Sequence, residues 1–168
     1  MTSDAKSLSA LAAQLIVEGS LDVIAGKPGA QFPVPGGLRL SDARRAELGR
    51  PPGGSTLYYA VGESDGPRGD NGVFVDFQEA TTTVWFHGED SANAMSQLEK
   101  ALKRNYPKAV KQKDKPHKTE RDSRYRSYDV PLGDGRAAVL DVAYPTSKAR
   151  AKRFAVRILA FSKGNQGH

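Results

Sequence analysis

Apolar residues recur along this chain with two periods, and the switch between them marks out its elements. Leu8, Leu11, Ala12, Leu15 and Ile16 follow helical spacing, with Ser7 placed to cap the helix and Gly19 to stop it. Leu21 to Ala25 reads as a short strand. Residues 26–56 are rich in Gly and Pro and are expected to form a loose excursion holding one short helix, Ser41 to Leu48. From residue 57 the period falls to two. Leu57 to Val61, Val73 to Phe77 and Thr81 to His87 are β-branched and aromatic runs separated by turn residues. A helix capped by Asp90 or Ser91 follows and runs to about Asn105, with Met95, Leu98 and Leu102 on one face and Pro107 beyond its end. Within it Glu99 and Lys103 are spaced for a supporting i,i+4 pair. Three more strands close the chain, near Tyr125 to Val130, Ala137 to Tyr144 and Phe154 to Phe161, the first two joined by the hairpin signal Asp134-Gly135.

After residue 57 the order is therefore three strands, one helix, three strands. Short connections pair neighbouring strands antiparallel, and a helix long enough to cover a sheet packs on one face. The expected class is α+β: an antiparallel sheet of about six strands with one long helix on one face and an N-terminal helix, in a single domain spanning residues 1–168.

Composition agrees with a globular fold. The chain has 168 residues, 38% hydrophobic and 26% charged, enough for one core without covalent staples. It has no cysteine, which removes disulfides, thiolate nucleophiles and cysteine metal sites together but does not fix the compartment. No apolar run is read as approaching the roughly 20 residues a bilayer span needs, so no transmembrane segment is expected. Leu8 to Val17 lacks the basic flank and cleavage site of a leader. The chain as given reads as soluble and cytoplasmic, or as exported if Met1 replaces a removed leader.

Charge changes the picture most. Residues 1–99 carry 7 basic and 13 acidic side chains, a net of −6, whereas residues 100–126 carry 11 and 3, a net of +8. The cations of that stretch include Lys103, Arg104, Lys108, Lys111, Lys113, Lys115, Lys118, Arg121, Arg124 and Arg126. Lys148, Arg150, Lys152 and Arg153 extend them in the hairpin before the last strand. Interleaved with Tyr106, Tyr125 and Tyr128, they suit an anionic macromolecule or an acidic protein surface, nucleic acid included. Residues 108–123 also read more plainly, as a basic loop or an edge segment guarded by lysines. The opposite charges of the two parts would equally allow self-association.

A second constellation follows from strand alternation. Asp76, Trp85, His87, Asp141 and Arg157 all fall on the polar side of their strands and would gather on the sheet face away from the helix. Trp, His, two carboxylates and an Arg suit a small-ligand site or general acid–base chemistry of a hydrolase-like kind. Cross-strand charge pairs on a solvated face explain the same residues. Arg68-Gly69-Asp70 sits among turn formers that account for it, and Gly26-Lys27-Pro28-Gly29 lacks the spacing of a phosphate loop. No spacing specifies a metal, a cofactor or a catalytic set. The sequence is thus read as a binding or adaptor protein using a basic C-terminal surface, with a polar-face ligand binder or enzyme and a component of a larger assembly as the alternatives.

Overall fold

The computed structural model describes residues 8–30, 38–47, 57–61, 73–78, 81–116, 118–119, 121–146 and 152–162. Its first element is α1, Leu8–Ala25, an unbroken helix of 18 residues. Gly19 does not stop it, and Leu21 to Ala25 is helix rather than strand. The helix instead widens into a π turn over Val17–Leu21, where the Ser20 hydroxyl donates to the Leu15 carbonyl at 3.0 Å. Gly19 is buried within this turn and does not terminate the helix. The true stop is Gly26, at φ 75°: its N–H and that of Lys27 return to the carbonyls of Val23 and Asp22, a Schellman closure that needs the left-handed conformation. Arg136 adds a side-chain donor to the Ile24 carbonyl at the same end. Read as one helix, α1 is long and apolar enough to cross a membrane, a property hidden when it is divided at Gly19; half of it is buried inside the protein.

The other α-helices among the described residues are α2, Asp42–Glu47, and α3, Ala94–Asn105. α3 presents Met95, Leu98 and Leu102 to the core as its spacing predicts. Its entry differs from the expected side-chain cap. A 3₁₀ turn, Glu89–Asn93, leads in, and the Asn93 amide donates to Ser9 Oγ of α1 at 3.2 Å instead of capping its own helix.

The strands form one open antiparallel sheet. They are β1 (Leu38–Arg39), β2 (Leu57–Val61), β3 (Val73–Gln78), β4 (Thr81–Gly88), β5 (Val110–Lys111), β6 (Lys115–Pro116), β7 (Ser123–Gly133), β8 (Arg136–Pro145) and β9 (Lys152–Ser162), in the spatial order β1-β2-β3-β4-β9-β8-β7-β5, with β6 also on β7. The six expected strands are the six longer ones. The three two-residue strands come from segments whose alternation is too short to read. Asp134 and Gly135, at φ 55° and 75°, make the tight β7–β8 turn.

Period two sorts the side chains onto two faces. Val75, Val84, Phe86, Phe154, Val156, Ile158, Leu140, Val142 and Val130 meet α1 and α3 in the main core. On the opposite face Phe74 and Trp85 stack at 5.5 Å beneath Leu40, forming a second, smaller core. Farther along that face, across β7, β8 and β9, Asp129, Asp141, Arg157 and Leu159 are exposed. α3 therefore crosses one face with its basic C-terminal turn directed toward the β5–β7 margin.

Candidate functional site

At that margin the helix-facing residues of β7 and β8 stop being apolar. Arg126 alternates in phase with Tyr128 and Val130, and Tyr144 with Leu140 and Val142, so both point toward the helix layer. Arg126 is mostly covered and holds two carboxylates. Its Nε and Nη2 donate to the two oxygens of Asp114, the second at 2.8 Å, and its Nη1 donates to Glu99 Oε2 at 2.6 Å. The Tyr144 hydroxyl donates to Asp114 Oδ2 at 2.5 Å and accepts from Arg126 at 3.1 Å; the Tyr128 hydroxyl donates to Glu99. One guanidinium thus ties together α3, the segment between β5 and β6, and strands β7 and β8.

The electrostatics follow the contacts. The Arg126 hydrogen bond, helped by Tyr144, holds the Asp114 carboxyl well below the usual carboxylate range. Asp114 in turn keeps Arg126 firmly charged. Burial pushes the Tyr128 and Tyr144 hydroxyls up, and their carboxylate partners push the same way. A related contact lies at the end of α3. There the Tyr106 hydroxyl donates to Asp22 of α1 at 2.5 Å, and Lys27 sits 3.2 Å from the same carboxylate and 4.4 Å above the Tyr106 ring. Lys27 therefore closes a helix–helix contact and builds no phosphate loop.

This arrangement separates the expected cations into two kinds. Arg126 is an internal cross-link, because its phase on β7 buries it, and is corrected from a partner-facing residue to a structural one. Arg124 is half-buried, 3.5 Å from Asp114, and Lys111 lies 4.0 Å from Glu99. Lys103, Arg104, Lys108, Lys113, Lys115, Lys118 and Arg121 are exposed. Lys152 and Arg153 are placed by backbone pairing alone, opposite Gly88 and His87. Lys148, Arg150 and His117 lie outside the described residues, as does Arg68-Gly69-Asp70.

The second constellation does share a face, but it does not converge. Asp76 pairs with Thr83, Thr83 with Arg157, Arg157 with Asp141 and Asp141 with Ser127, a single row across five strands. Asp76 is buried at one end of this row, while Asp141 takes the Ser127 hydroxyl at 2.8 Å near the other. Trp85 is 3% exposed under Leu40 and beside Phe74, so it is a core residue and not the open floor of a pocket. His87 stands two positions farther along β4 and is placed by its backbone only. No cluster of three or more His, Asp or Glu positioned to hold a metal occurs among the described residues.

Sequence reasoning missed the Arg126 cluster. Its signal was present, since Arg126 and Tyr128 share the phase of Val130, but the charge count treated every cation of residues 100–126 alike. It also missed Glu99's true partners: the helical spacing to Lys103 predicted a local pair, whereas Glu99 reaches across to β7. No family model, curated protein or solved structure matches the chain, so the site stands on its geometry.

Proposed function

We propose that this protein acts by binding an anionic macromolecule through the cations of residues 103–124, extended by those of 148–153, with Arg126 holding that surface together from within, and not by catalysing a reaction. The observation that carries this reading is the division of charge around Arg126. Glu99 and Asp114, the acids positioned to neutralise the neighbouring lysines, are engaged by one mostly covered guanidinium and two tyrosine hydroxyls, with only Lys111 and Arg124 of the other cations near them. Lys100, Lys103, Arg104, Lys108, Lys113, Lys115, Lys118 and Arg121 are exposed with no acidic partner among the described residues. The last turn of α3 gains from its cations through the helix dipole, which accounts for Lys103 and Arg104. It does not account for Lys113 and Lys115 of the β5–β6 segment, which would be left for an external anion.

The test exchanges Lys111, Lys113, Lys115 and Lys118 for Glu. All four side chains are exposed, so the fold is expected to survive, with an unchanged far-UV spectrum and melting temperature. Binding to single- and double-stranded nucleic acid, anionic vesicles and an acidic polysaccharide is measured for both proteins across a salt series. The wild-type protein is expected to hold one of these classes at about 150 mM salt with a steep salt slope, and the variant to lose it. Equal capture by the variant, or wild-type binding confined to low salt, removes the proposal.

A further inference from the structure

Beside the Arg126 cluster a pocket of about 300 Å³ opens between the C-terminal half of α3 and strands β5 and β7. That volume lies at the lower end of the 300–1,000 Å³ typical of ligand sites, room for a single flat ring. Its walls combine three chemistries. Leu102 and Ala109 give apolar surface, Lys103 and Lys111 give positive charge, and Glu99 is its one acid. Three groups converge on Glu99 and all meet Oε2: Arg126 at 2.6 Å, the Tyr128 hydroxyl, and Lys111 at 4.0 Å. Oε1 receives none of these, and the side chain keeps 37% of its surface exposed.

These walls select among anions. An acyl chain or a bare phosphate entering the pocket would strip water from a carboxylate without offering it a donor, which is costly. A cationic ligand would meet two lysines. A flat ring with amino hydrogens, carried on a phosphate, satisfies every wall: the ring lies on the apolar surface, Glu99 Oε1 accepts an amino hydrogen, and the lysines take the phosphate. We propose that this pocket receives one amino-bearing base of a single-stranded nucleic acid. The inference rests on the anion-binding reading above and narrows its partner to one class.

Short oligodeoxycytidine and oligodeoxyuridine strands test it, because cytosine presents an amino group where uracil presents a carbonyl. Fluorescence anisotropy at one salt concentration is expected to give the cytosine strand about tenfold tighter binding, the scale of one hydrogen bond to a charged group. Ala109→Phe fills the pocket without touching a charge, and is expected to bring the cytosine strand down to the affinity of the uracil strand. Glu99→Gln, of the same shape and uncharged, is the independent variant and is expected to reduce the same ratio; thermal melts report whether each is folded. Equal affinity for the two strands in the wild-type protein, or a preference surviving both folded variants, overturns the pocket proposal and leaves the anion-binding reading intact. Capture of vesicles or polysaccharide with neither strand bound has the same meaning. Failure of every probe removes both proposals.

Discussion

The guanidinium at position 126 governs how Asp114 ionises. With its proton released far more readily in the folded state than in the unfolded chain, Asp114 contributes stability that is complete above the ordinary aspartate value of about 3.9 and is lost as pH falls below it toward the depressed folded value. Denaturant titrations across the acid range should therefore show Asp114→Asn with a shallower loss of stability on acidification than the parent chain. Tyrosines 106, 128 and 144 respond oppositely: burial, with carboxylate partners in support, raises all three hydroxyls. Alkaline titration followed by tyrosine absorbance should find Tyr106, Tyr128 and Tyr144 ionising only above the usual value near 10. This cluster was only half legible in the sequence. Alternation places Arg126 and Tyr128 on the covered face, but the partners they find, Asp114 and Glu99, come from other elements, and no local spacing encodes that meeting.

Elements were legible wherever a period ran long enough to dominate. The six longer strands and α3 follow directly from their repeats, because each repeat buries one face and a slip of one residue would expose it. α1 was misread at a single residue. Gly19 looks like a terminator, but it lies buried inside a π turn of a helix that runs on, and the left-handed stop falls seven residues later. Nothing lies within 4 Å of a side chain added at Gly26, so Gly26→Ala isolates the backbone term. It should cost about 1 kcal/mol, and a thermal melt should fall by about 3 °C. The short piece β1 escaped reading for the opposite reason, since two residues carry no period; β5 and β6 fall within residues 108–123, read only as a basic loop or an edge segment, and the strand bounds inside it follow from pairing with β7.

Across the whole molecule, stability should follow position in the sheet. β8 lies between β7 and β9, and its inward residues Leu140 and Val142 are fully buried, as are Val156 and Ile158 opposite them on β9. Hydrogen exchange should find the β8 amides opening only with global unfolding, while those of β5 and β6 open locally and much faster. The outer edge of β7 has a further consequence. An eleven-residue strand with a bare edge invites a second chain to add to it, which is how sheets nucleate fibres. Here two short strands and the Gln112 N–H to Ser127 carbonyl bond occupy that edge, and Pro116 and the flanking lysines make the covering segment a poor template in its turn. Lysines along that segment would repel one another where two copies met edge to edge, so a modification that neutralised them is expected to lower colloidal solubility.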